Sequence, residues 1–193
     1  MLHPDTVLQF ISPEIGYGVF ATSLIPQGTI TWVYDPLDQI LTPEQVESMP
    51  EIYGEPLARY TYRTPEGNHI LLWDLARFMN HSCSPNCMAT HYGFEVAVRD
   101  IESGAELTVD YATLYMKPEE TFDCYCRAEE CRWRITSGDA EKLKEDWAAQ
   151  IQGGLLRIGE VDQPLMHLLG NGHLQRACAD HGVPFQLSLR RLF

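Results

Sequence analysis

Three cysteines stand within eight residues in the stretch DCYCRAEEC, spaced C-x-C-x4-C: Cys124, Cys126 and Cys131. Thiolates packed this closely suit a tetrahedral zinc ion better than a set of nucleophiles, and such a site takes four ligands. The fourth has to come from elsewhere in the chain, and Cys83, Cys87 and Cys178 are the candidates. The neighbouring Asp123, Arg127, Glu129, Glu130, Arg132 and Arg134 make the stretch too charged for a core of unligated thiols. A closed site of four cysteines is structural, with no position left for water. It would fasten the segment after Tyr111 to wherever the fourth cysteine lies.

The rest of the composition sets the frame around that constraint. The 193 residues suffice for one sizeable domain, or one domain with a small appendage. A hydrophobic fraction of 45% supports a packed core. The opening MLHPDTVLQF has no basic n-region or long apolar run, so no secretory signal is expected. The longest apolar stretch, residues 70–73, is far too short for a bilayer. We therefore expect a soluble, intracellular protein whose six cysteines are reduced, which favours metal binding over disulfides. The net charge of -13 falls almost wholly on residues 1–136, which carry 20 acidic and 8 basic side chains. Direct nucleic-acid binding is disfavoured for want of a basic patch, and a basic partner suits the surface better.

The first 110 residues read as short strands punctuated by Gly and Pro, at 6–11, 18–22 and 29–34. Thr42, Pro43 and Gln45 form a T-x-x-Q capping box with proline at the first helical position, so a short helix is expected there. Residues 58–63 and 68–73 read as one hairpin, 87–91 and 94–99 as another, and 107–111 as a further strand. After about residue 137 the texture turns helical. Helices are expected over 139–151, ending at Gly153-Gly154, and over 163–169 and 171–181, with Gly182-Val183-Pro184 as a stop. The fold class is therefore mainly β with a small C-terminal helical segment.

Four motifs occur in order: GYGVF (16–20), RFMNHSCSPN (77–86), ELTVDY (106–111) and CYCRAEEC (124–131). Together they resemble the SET-domain protein-lysine methyltransferases followed by a post-SET zinc segment. The resemblance covers about residues 5–136 and implies the SET β-fold with its pseudoknot. It divides the chain into a SET domain at 1–112, a post-SET segment at 113–136 and a helical extension at 137–193. It also implies methyl transfer from S-adenosylmethionine to the ε-amine of a lysine in a Lys-rich protein, a histone or another, leaving S-adenosylhomocysteine. A SET-fold binding module without transfer activity is the alternative.

The same resemblance carries residue roles. Gly16, Tyr17 and Gly18 would form the turn under the cofactor's methionine part, and glycine suits so close a backbone approach. Asn80 would bond the cofactor's amino group, and the His81 backbone would meet its adenine. Tyr111 would stand where amine and methyl meet, supplying positioning. Ile135, or its neighbour Trp133, would pack on the adenine. Cys83 would be the fourth ligand of one structural zinc ion, with Cys87 as the fallback and Cys178 a buried thiol. Tyr60 and Tyr62 are candidates for the lysine channel, and Arg77 is expected to prop the fold. No pre-SET cysteine segment precedes GYGVF. Val109 stands where many members carry Phe or Tyr, so the number of methyl groups added is open. The apolar side chains of the C-terminal helices, among them Leu165, Leu169 and Leu174, would pack on the SET core, wall the lysine groove or meet a second copy.

Overall fold

A computed structural model describes residues 1–184. In chain order the strands are β1 (Thr6–Ser12), β2 (Gly16–Ala21), β3 (Ile30–Val33), β4 (Gln39–Leu41), β5 (Thr61–Arg63), β6 (His69–Leu71), β7 (Asn80–His81), β8 (Cys87–Ala89), β9 (Phe94–Ala97), β10 (Thr108–Val109), β11 (Thr121–Asp123) and β12 (Arg134–Thr136). The helices are α1 (Pro43–Ser48), α2 (Gly54–Tyr60), α3 (Asp139–Arg157) and α4 (Asn171–Asp180). Among the described residues the strands form five small sheets: β1-β2, β3-β9-β8, β4-β6-β5, β11-β12 and the pair β7-β10. All pairings are antiparallel except β7-β10, which is parallel and sets Thr108 beside Asn80 and Val109 beside His81. That short pairing draws the NHS and DY motifs together.

Two apolar clusters sandwich the central sheet. Phe94, Val96 and Val98 pack with Ile151, Leu155, Ile158, Leu165, Leu169 and Leu174 of the C-terminal part. On the other face Ala97 and Cys87 pack with Val19, Trp32, Ile70, Leu107 and Val109. The period-2 alternation of β9 divides its side chains between the two layers. The C-terminal helices thus cover one face of the sheet, as the first of the three sequence readings holds. Cys178 is fully buried among them.

The capping box of α1 is present: Thr42 Oγ1 accepts from Gln45 N–H, and Gln45 Oε1 accepts from Thr42 N–H at 2.8 Å. Three expectations give way to tertiary packing. Residues 58–60 belong to α2, which Leu57 anchors by burial, and only 61–63 form the strand. Helix α3 runs through Gly153-Gly154 to Arg157. A Cβ on Gly154 would lie 3.0 Å from the Ala97 carbonyl, so that glycine serves close helix-sheet approach rather than termination. Residues 163–169 form only a 3-10 turn at Met166–Leu168. Gln163 is instead fixed to β3, accepting from Ile30 N–H at 2.8 Å and donating to the Gly28 carbonyl at 2.7 Å. The last helix ends as expected, with Gly182 at φ +66°.

Candidate functional site

The GYG strand is tightly backed. Gly16 has φ +86°, a conformation that favours glycine. A Cβ on Gly18 would run into Glu106 Oε1 and lie 2.7 Å from Ile11 Cδ1 and 2.9 Å from Asn80 Nδ2. Asn80 Nδ2 donates to the Tyr17 carbonyl at 3.0 Å and to Glu106 Oε1 at 2.7 Å. Burial pushes the Glu106 carboxyl above its ordinary range, and the Asn80 bond pulls it back. Gly16, Tyr17, Gly18 and Asn80 therefore come together. Glu106, which sequence reasoning passed over within ELTVDY, is the group that orients the asparagine. A small cavity of about 60 Å³ opens here, between Ile15, Tyr17, Tyr60, Phe78, Asn80 and Tyr111. Arg59 and Arg77 complete its lining.

Tyr111 begins a 3-10 turn capped by Asp110, whose carboxylate accepts from Ala112 N–H at 3.1 Å. The Tyr111 hydroxyl donates to the Met79 carbonyl at 2.8 Å. Burial, aided by Glu106, pushes its phenol up to about 12, so it stays protonated and acts as a hydrogen-bonding group. Its backbone N–H donates to His81 Nδ1 at 3.1 Å. Burial, then Arg132, pushes His81 down to about 4, so its ring is neutral. With Nδ1 accepting, Nε2 carries the proton and faces Cys83 Sγ at 3.4 Å. The histidine side chain thus links the tyrosine turn to the sulfur cluster, a role the motif reading had not given it.

The sulfurs of Cys83, Cys124, Cys126 and Cys131 lie within 4.8 Å of one another. Zn–S bonds of about 2.3 Å in a tetrahedron set sulfurs about 3.8 Å apart, and Cys83 and Cys124 are 3.7 Å apart. The donor set and spacing fit zinc. Cys87 is fully buried in the central core, away from this cluster, and burial pushes its thiol up. Arg132 joins cluster to turn. Its backbone N–H and Nε point at Cys83 Sγ at 3.3 and 3.4 Å, and Nη2 reaches both Asp110 oxygens at 2.8 and 2.7 Å. Sequence reasoning counted Arg132 only as a surface charge; the C-x-C-x4-C-R pattern gave no distance to Asp110.

A larger cavity of about 630 Å³ also borders Tyr111, and it shares Arg59, Tyr60 and Arg77 with the small one. Tyr60, Tyr62, Val109 and Arg77 all line it, together with Trp32 and Glu95, which sequence reasoning had not singled out. Arg77 sits 5.4 Å over the Phe78 ring and lines both cavities. No described residue beyond Phe122 lines the large cavity, so the C-terminal helices stand apart from it. Ile135 is fully buried against Ala112, Cys124 and Cys131. The pairing of β12 with β11 sets it beside Phe122. Trp133, at φ +62°, is 72% exposed.

The SET domain family model matches residues 16–112, half of the chain, and the chain belongs to that family. Among curated relatives, histone-lysine N-methyltransferase ash1 of Drosophila melanogaster is 28% identical over 149 residues, covering 72% of this chain and 7% of that protein. Human histone-lysine N-methyltransferase SMYD3 is 37% identical over 101 residues, covering 47% of this chain and 23% of that one. The chain therefore spans a small part of either relative. A solved structure of KRYPTONITE in complex with mCHG DNA and SAH superposes with a TM-score of 0.44 at 23% identity, covering 64% of this chain and 27% of that chain; so loose a likeness carries no argument. Among the described residues no helix is long and apolar enough to cross a membrane.

Proposed function

We propose that this chain is a protein-lysine methyltransferase that uses S-adenosylmethionine and carries one structural zinc ion. The observation that carries the reading is the position of Tyr111, which lines both the small cavity beside Gly16–Gly18 and Asn80 and the large cavity beside Tyr60 and Tyr62. Of the residues common to both cavities, Tyr111 ends the ELTVDY motif and is where a methyl donor and an acceptor amine would meet. When bound, S-adenosylmethionine supplies an electrophilic methyl group. Gly16, Tyr17, Gly18 and Asn80 would hold it, with Glu106 fixing the asparagine. Ile135, or the exposed Trp133 beside the cluster, would pack on the adenine. Tyr111, protonated and tied to the Met79 carbonyl, orients the amine; alignment of this kind supplies much of the rate of an in-line displacement. The aromatic walls of Tyr60 and Tyr62 hold the alkyl stem of a lysine, whose amine has to release its proton before it attacks. Cys83, Cys124, Cys126 and Cys131 would hold zinc, whose contribution is to fix the segment bearing Arg132. The acidic surface suits a Lys-rich protein, a histone among them, and such proteins are what the relatives' names describe.

Calorimetric titration of the zinc-loaded protein with S-adenosylmethionine, beside an N80A variant shown to be folded, tests the cofactor half. Micromolar binding that the variant loses supports it; absence of binding to a folded, zinc-replete protein overturns it and favours the binding-module reading. Transfer of labelled methyl groups to lysine peptides, and its loss on replacing lysine by arginine, tests the acceptor half.

A further inference from the structure

Strand β9 is covered on both faces, so its alternation does not separate core from solvent. Phe94 and Val96 pack into the helical layer, while Ala97 belongs to the opposite cluster with Trp32, Cys87 and Val109. Glu95 shares that second face, paired with Trp32 on β3 and Ala89 on β8. It lines the large cavity with Trp32, Tyr62 and Tyr111. Part of Glu95 remains open to that cavity, but its Oε2 is buried without a hydrogen-bond partner. The indole Nε1 of Trp32 is likewise buried and unpartnered. Among the described residues no salt bridge reaches Glu95, whereas Arg63 in the same cavity is paired with Glu120 at 2.5 Å. A buried carboxylate oxygen without a hydrogen-bond partner carries an unfavourable desolvation term, and the carboxyl responds: burial pushes it up to about 7, with the N-terminal ammonium pulling it part of the way back. A cation entering the cavity removes that penalty.

Resting on the function proposed above, we infer that Glu95 receives the charged ammonium end of the substrate lysine in the large cavity and is a specificity-determining residue for amines. The aromatic rings of Trp32, Tyr60, Tyr62 and Tyr111 line the same space and favour the alkyl stem and its cation alike. The acceptor docks as the ammonium ion, by far the more abundant form of a free lysine at neutral pH.

The test uses n-butylammonium as the probe and n-butanol as its neutral counterpart, with binding followed by NMR on the zinc-loaded full chain. The wild-type protein should bind the ammonium at least tenfold more tightly than the alcohol. The E95Q variant should lose about tenfold in ammonium affinity and leave the alcohol unchanged. A wild-type preference near one, a measurement that needs no variant to fold, overturns the inference. So does an E95Q effect equal for both probes. With a lysine peptide that the wild-type enzyme methylates, E95Q should raise KM about tenfold with a smaller effect on kcat; unchanged KM also overturns it. Failure of the wild-type protein to methylate any lysine peptide would overturn the methyltransferase reading, while the amine titration still decides the role of Glu95.

Discussion

Replacing Arg132 by alanine tests how the sulfur cluster and the tyrosine turn depend on each other. Asp110 immediately precedes Tyr111, and its side chain is 1% exposed, against 18% for Arg132. Burial pushes the Asp110 carboxyl up by more than Arg132 pulls it down, so the intact pair is not a large net source of stability. One-sided removal is different, because it leaves a buried carboxylate with no cation; breaking such a pair costs about 3–5 kcal/mol. Every 1 kcal/mol moves Tm by roughly 2–4 °C in a chain of this size, so R132A should fall by about 10 °C in a calorimetric scan of the zinc-loaded protein. The R132A/D110N double variant should recover at least half of that loss, since the stranded charge is gone. R132K should lie between, keeping a charge for Asp110 without the guanidinium that also reaches Cys83 and Asp139. A Tm for R132A within 2 °C of wild type would refute the reasoning, as would a double variant no more stable than the single one.

Three further perturbations probe the rest of the site. Y111F removes the bond to Met79 and should cut methyl transfer by about 10²–10³-fold while cofactor affinity stays within about threefold, read by single-turnover kinetics and calorimetry. The folded-state value of the Tyr111 phenol lies above the ordinary one, so its stability contribution is complete below about pH 10 and fades as pH rises toward 12; the wild-type rate profile should show no break from this group below pH 10. G18A puts a methyl group against Glu106 and Asn80, and we expect at least tenfold weaker S-adenosylmethionine binding in a folded protein; an unchanged Kd would show that the strand yields. In metal analysis, wild type and C87S should each retain one zinc per chain and C83S should lose it; the reverse pattern would make Cys87 the ligand.

The sequence was most legible where chemistry is local. Thr42 and Gln45 announce their own helix, because a capping box needs only four consecutive residues. The GYG, NHS, DY and C-x-C-x4-C motifs were readable as residue types in order. What spacing could not convey is who faces whom across long separations. Cys83 and Cys87 are equally plausible ligands on a line, and only the turn of the chain between them sends one to the sulfur cluster and the other into the core. Arg132 and Asp110 lie 22 residues apart with no shared motif. Glu95 in FEVAV was not singled out, because nothing local in the sequence shows that both faces of its strand are covered. Gly153-Gly154 reads as a stop because glycine usually breaks a helix; here the missing Cβ serves the contact with Ala97.

The parallel pairing of β7 with β10 has a consequence for how the chain reaches its native state. Asn80 meets Tyr17 across 63 residues and Glu106 across 26, and Cys83 meets Cys124 across 41. Only the β1-β2 hairpin among these parts is sequence-local. Contacts so distant are slow to form, and a chain made from its N-terminus folds the early, local pieces first. During synthesis the GYG strand can pair with its neighbour at once, but the turn bearing Tyr111 has no arginine to hold it until residue 132 has left the ribosome. The Tyr111 turn is therefore completed only after Arg132 emerges, and the helical layer from residue 139 onward closes over the sheet later still.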